Sequence, residues 1–97
     1  MVNIFLIYAP NCKHCKQMEA SVESAIKRSE ITCEFKKIIY TSKTAINLAI
    51  KNGIKDLPGL IVGTKSGVFY GDNYNEDKIL NAIKKASQTC KPKKQNP

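Results

Sequence analysis

Residues 2–29 read VNIFLIYAPNCKHCKQMEASVESAIKRS, and two periodicities meet inside this stretch. Val2 to Tyr8 is almost continuously apolar, as befits a central strand covered on both faces. Ala9-Pro10-Asn11 interrupts it. From Cys12 or His14 to about Ser29 the pattern is helical. Met18, Val22, Ala25, Ile26 and Ser29 recur on one face, and the charges Lys16, Glu19, Glu23 and Lys27 occupy the rest. Met18 and Val22 read as core packing. A strand therefore runs almost directly into a helix, and Cys12-Lys13-His14-Cys15 sits at the junction.

The same reading extends outward. Cys33 to Tyr40 (CEFKKIIY) forms a second strand. Thr41-Ser42 caps a second helix with Ala45, Ile46, Ala49 and Ile50 as apolar positions, and Gly53 stops it. Leu60–Val62 and Val68–Tyr70 are two short strands joined across Thr64-Lys65-Ser66-Gly67 as a hairpin. Asn73 or Asn75 caps a last helix. Glu76 and Asp77 suit its first turn, where the helix dipole favours acids. Its buried stripe is Ile79, Leu80, Ile83 and Ala86, and Lys84 and Lys85 stand near its end. The order β-α-β-α-β-β-α implies an α/β domain. A parallel, right-handed strand–helix–strand unit is extended by an antiparallel hairpin into a mixed sheet, with helices on both faces. Residues 1–90 make one domain on this reading, and residues 91–97 a basic flexible tail.

Composition narrows the function. The chain has 97 residues, a length that suits one domain, and a net charge of +8. Fifteen of its 16 basic residues are Lys, Arg28 being the exception. Readers of nucleic acid favour Arg for bidentate contacts, so this surface fits solubility and acidic partners better than nucleic acid. No stretch approaches the roughly 20 apolar residues of a membrane span. The first residues carry no basic segment ahead of a long apolar run, so a cytoplasmic location is the expectation. In a reducing compartment, four cysteines point to catalysis, metal binding or plain thiols before structural bridges.

The spacing of Cys12 and Cys15 carries the chemistry. Two intervening residues bring the sulfurs within disulfide reach across one helical turn. Cys12 falls at the helix N-terminus, where unpaired N–H groups and the dipole stabilise a thiolate, the nucleophile in disulfide exchange. Cys12 would attack a substrate disulfide, and Cys15, deeper in the helix, would resolve the mixed disulfide. Lys13 and His14 place positive charge near Cys12 and would lower its pKa. Metal binding is the competing reading. A zinc site usually needs four ligands, so Cys33, Cys90 and His14 would have to complete the set, and an iron–sulfur cluster would have to bridge two subunits. No metal site is expected. Cys33 and Cys90 read as spare thiols, Cys90 having Lys91, Lys93 and Lys94 nearby.

Two segments resemble a known family. Tyr8-Ala9-Pro10-Asn11-Cys12-Lys13-His14-Cys15 is similar to the glutaredoxin active-site entry, with an aromatic residue ahead of the cysteine pair. Gly53-Ile54-Lys55-Asp56-Leu57-Pro58-Gly59-Leu60 resembles the thioredoxin run of Gly-Ile, two variable residues, an aliphatic residue and Pro. Over residues 2 to about 88 the chain resembles the thioredoxin superfamily in its short, glutaredoxin-sized form. The resemblance implies a thioredoxin fold with Pro58 cis beside the cysteine pair. It also implies that Tyr8, Leu57 and Pro58 contact substrate, Leu57 through its backbone, and that Gly71-Asp72 borders the site. Departures are visible. Cys-Lys-His-Cys is neither Cys-Gly-Pro-Cys nor Cys-Pro-Tyr-Cys, and its histidine is similar to that of bacterial disulfide oxidases. No tryptophan precedes Cys12, Val2–Tyr8 lacks the family's buried aspartate, and Tyr70 replaces one of the usual paired glycines.

The function expected is reduction of protein or glutathione mixed disulfides by a monomer with no bound cofactor. By the resemblance, glutathione or a flavin-dependent thioredoxin reductase would supply electrons. Clients would be disulfide-containing proteins, ribonucleotide reductase among them. The alternative from another class is a non-catalytic binding module of the same fold, using the basic surface or tail.

Overall fold

A computed structural model describes residues 1–64 and 66–90, with side chains as far as residue 88. The expected tail, 91–97, and the thiol of Cys90 lie outside what is described. The elements follow the expected order: β1 (Val2–Tyr8), α1 (Lys13–Ser29), β2 (Cys33–Ile39), α2 (Lys43–Asn52), β3 (Gly59–Val62), β4 (Gly67–Tyr70) and α3 (Glu76–Cys90).

The four strands form one mixed sheet in the order β2-β1-β3-β4. β1 and β2 run parallel, from Val2 opposite Cys33 to Tyr8 opposite Ile39. β3 runs antiparallel to β1 and pairs with β4 as a hairpin. Alternation along β1 divides the core. Val2, Ile4 and Leu6 face α1 and α3 and pack with Met18, Val22, Leu60 and Ile83. Ile7 and Ile61 face α2 and pack with Ala45.

Local chemistry sets the helix ends. Ser42 caps α2 by accepting the Ala45 N–H at 3.1 Å, and Gly53 closes it in the left-handed region. Asn75 caps α3 by accepting the Lys78 N–H at 2.8 Å. The stripe Ile79, Leu80, Ile83 and Ala86 is buried as the periodicity requires.

Two expectations are modified. β1 is central, but its α2 face is closed only at one end: Ile7 is buried, Phe5 half-buried and Asn3 exposed, because α2 spans only ten residues. Within α2 the sheet receives Ala45, with Leu48 and Ala49 partly buried, while Ile46 and Ile50 face outward at 46% and 76% exposure. Apolar residues cover more of this helix than one sheet can take. Among the described residues, no helix is long and apolar enough to cross a membrane.

Candidate active site

The site forms where β1 ends. The turn after Tyr8 closes through Asn11 at φ 59°, a left-handed conformation that asparagine tolerates better than most residues. Cys12 then returns to extended backbone and is the N-cap of α1. Its Sγ accepts the Cys15 N–H at 3.1 Å, and its carbonyl accepts the Lys16 N–H at 3.3 Å. Cys12 and Cys15 are joined as a disulfide across 5.2 Å between their Cα atoms. Cys15 is buried, at 4% exposure. Cys12 is half-buried, and Lys13 and His14 are exposed around it.

Beside the disulfide lies a cavity of about 280 Å³ lined by both cysteines together with Tyr8, Lys16, Glu19 and Lys37. Its charged groups come from two elements. Glu19 stands one turn beyond Cys15 on α1, and Lys37 stands on β2 opposite Leu6. The Lys37 ammonium donates to Glu19 at 2.9 Å, and this bond raises the lysine's pKa.

The second motif arrives from the other side of the sheet. The Leu57–Pro58 peptide is cis and Pro58 is buried. Gly59 pairs with both Ile7 and Tyr70. That register brings Pro58 and Gly71 to the end of the sheet where Tyr8 leads into Cys12. The Gly71 N–H donates to the Pro58 carbonyl at 2.9 Å. Gly71 holds φ 65°, and a Cβ there would lie 3.4 Å from that of Asp56. Asp72 is exposed beyond it. A groove of about 480 Å³ runs beside Leu57, floored by Ile7, Ala45 and Ile54 and rimmed by Tyr40, Ile46 and Asp56.

The expected residues therefore gather in two groups, Tyr8, Cys12 and Cys15 around one cavity and Leu57, Pro58 and Gly71 at the neighbouring strand ends. Cys33 is not among them. It pairs with Val2, about 20 Å down the sheet at the usual rise per residue. Its thiol donates to the Ile31 carbonyl at 3.4 Å, and burial pushes its pKa up. Among the described residues, no three His, Cys, Asp or Glu side chains come together as a metal site.

Reading the sequence alone overlooked Glu19 and Lys37 at the site. Glu19 was within reach, being four residues after Cys15 on a helix. Lys37 was not, because only the β1–β2 register brings it across.

A mixed four-stranded sheet, a disulfide-forming pair at the start of the first helix and a cis-proline before the hairpin define a protein of the thioredoxin fold. The thioredoxin domain family matches residues 2–85, and the chain belongs to it. Solved structures agree on the fold. A thioredoxin-like protein from Clostridium perfringens is 18% identical, with a TM-score of 0.71 over 89% of this chain and 71% of that one. Thioredoxin-2 of the malaria parasite is 19% identical, with a TM-score of 0.65 over 88% and 82%. Reduced Schistosoma mansoni thioredoxin is 22% identical, with a TM-score of 0.61 over 87% and 77%. No curated protein sequence matches the chain. The fold and the cysteine pair together point to redox chemistry.

Proposed function

We propose that the protein is a thiol–disulfide oxidoreductase in which Cys12 is the nucleophile and Cys15 the resolving thiol. The observation that carries this reading is Cys12 Sγ at the N-cap of α1, accepting the Cys15 N–H at 3.1 Å. A thiolate at that position faces unpaired N–H groups and the positive end of the helix dipole. The half-buried sulfur can meet a client, whereas Cys15, at 4% exposure, waits behind it.

In the reducing direction the Cys12 thiolate attacks a client disulfide and one client sulfur leaves as a thiolate. Cys15 gives up its proton and attacks Cys12 Sγ. The second client thiolate leaves and the Cys12–Cys15 bond closes. The client gains two electrons and two protons: the protein supplies both electrons and the Cys15 proton, and the second proton comes from water. Lys13 adds positive charge beside Cys12, and the imidazole of His14 stands next to it on the exposed side. The Leu57 backbone offers a donor and an acceptor to an extended client segment, with Tyr8, Pro58, Gly71 and Asp72 around it. Glutathione, or a flavin-dependent thioredoxin reductase, returns the electrons. Turnover of a glutathione mixed disulfide distinguishes the two donors. The proposed clients are disulfide-bearing proteins, and the proposed setting is the cytoplasm.

The test is the alkylation mass of purified protein across glutathione redox buffers. The expected result is one two-electron transition confined to Cys12 and Cys15. Cys12→Ser should lower exchange by at least 100-fold, and Cys15→Ser should accumulate mixed disulfides. Absence of the transition, or wild-type exchange in Cys12→Ser, would overturn the reading.

A further inference from the structure

The cavity beside the disulfide holds charges that the exchange steps do not use. Cys15 and Glu19 share a face of α1 one turn apart, which puts their Cβ atoms about 5–6 Å from each other. The Lys37 ammonium enters from β2 and is bonded to Glu19 at 2.9 Å. Glu19 is half-buried, at 29% side-chain exposure, and Lys37 reaches it from the exposed side, at 50%. Such a pair contributes little to stability. Its position in the wall that both cysteines line sets it apart from the protein's other ion pairs.

Building on the dithiol reading, we propose that the Glu19–Lys37 pair sets the redox potential of the Cys12–Cys15 couple. Two electrons and one proton convert the disulfide into one thiolate and one thiol, and two glutathione thiols can supply the electrons by becoming glutathione disulfide. The sulfurs of the oxidised form are uncharged, so neighbouring charges act mainly on the reduced form. Lys37 stabilises the new thiolate by attraction. Glu19 opposes it twice, by direct repulsion and by holding the ammonium of Lys37 in its own hydrogen bond. Both are positioning residues, since neither makes or breaks a bond to sulfur. The other titratable groups facing the pair are Tyr8 on β1 and Lys16 and Glu23 on α1, with Lys13 and His14 on the solvent side. These groups are common to all the variants below.

The experiment is glutathione equilibration of wild type, Glu19→Gln, Lys37→Gln and the double variant, read by alkylation mass at neutral pH. Glu19→Gln releases Lys37 toward the thiolate. It should shift the equilibrium about fivefold toward the dithiol, a rise of about 20 mV. Lys37→Gln leaves the carboxylate unopposed and should shift it about fivefold the other way. The double variant should return to within about twofold of wild type. Titration of thiolate ultraviolet absorbance should move down in pH for the first variant and up for the second. A merely structural pair would leave the potential unmoved in both variants, whatever their melting temperatures. Shifts of the same sign, or single variants within twofold of wild type, would overturn the proposal. A wild type with no dithiol–disulfide transition fails earlier, refuting the oxidoreductase reading and this proposal with it.

Discussion

Glu30 ends α1 in the left-handed region, at φ 58°, where an L-residue's Cβ crowds its own carbonyl. Glycine usually takes that position; the stop itself falls at Ser29, where the helical pattern of the sequence ends and where a residue that competes for backbone hydrogen bonds stands. Ser29 helps to end it, its hydroxyl donating to the Ile26 carbonyl at 2.7 Å and accepting the Ile31 N–H at 3.0 Å. Glu30 is exposed and its side chain makes no hydrogen bond among the described residues, so Glu30→Gly removes the crowding and little else. It should stabilise the protein by about 0.5–1 kcal/mol, read as a higher urea midpoint at unchanged slope. An unchanged or lower midpoint would mean that the entropy of a freer unfolded chain outweighs the relief. Asn11, at φ 59°, has the same geometry on a residue better suited to it. The turn into Cys12 and the stop at Ser29 thus both follow from local chemistry, and Glu30 is the residue less suited to its left-handed place.

Between elements, the close approach of the hairpin to α3 depends on Gly67. A Cβ at that position would lie 2.6 Å from the Cβ of Ala82 and 3.0 Å from the Phe69 ring. Ala82 Cβ belongs to a helix and cannot swing aside. Gly67→Ala should therefore destabilise by about 1–3 kcal/mol, seen as a lower melting temperature, with the cysteine couple's glutathione equilibrium unchanged. A melting temperature equal to wild type would show that β4 has room to move. In the sequence, Gly67 reads as part of a turn. Its role as a spacer appears only once α3 is laid across the sheet. The outward Ile46 and Ile50 make the same point for α2. Periodicity shows that a helix is amphipathic, but how wide a stripe is buried depends on the surface it meets.

Across the molecule, α1 and α3 form one layer on the sheet and are tied at the surface by Arg28. Its guanidinium donates to Glu76 at 2.7 Å and to Asp77 at 3.2 Å, and Ser24 donates to Glu76 at 3.0 Å. These bonds, Arg28 first and Ser24 second, hold the Glu76 carboxyl below the usual carboxylate range. A carboxyl whose pKa is lower in the folded state stabilises the fold above its unfolded pKa of about 4.3. That contribution fades as pH falls from there through the folded value. The melting temperature of wild type should therefore exceed that of Glu76→Gln near neutrality, and the gap should close as the pH drops below about 4. A gap independent of pH would separate Glu76 from the acid sensitivity of the fold.

Elements, their order and the cysteine pair could be read from the chain because they depend on neighbours within a few residues. The apolar run Val2–Tyr8, the helical spacing of Met18, Val22 and Ala25, the caps at Ser42 and Asn75, and two cysteines three apart are all short-range patterns. The family resemblance added the proline turn at Pro58 and the strand ends around it. What had to await the folded chain is whatever depends on register and on the packing of one layer against another. Lys37 meets Glu19 because parallel pairing sets it opposite Leu6, beneath α1. Gly71 meets Pro58 because the hairpin pairs Gly59 with Tyr70. A shift of one residue in either pairing would leave every local pattern intact and turn these side chains to the opposite face of the sheet. The contacts that bring charge to the cysteine pair are thus long-range consequences of the fold, while the pair itself is a local one.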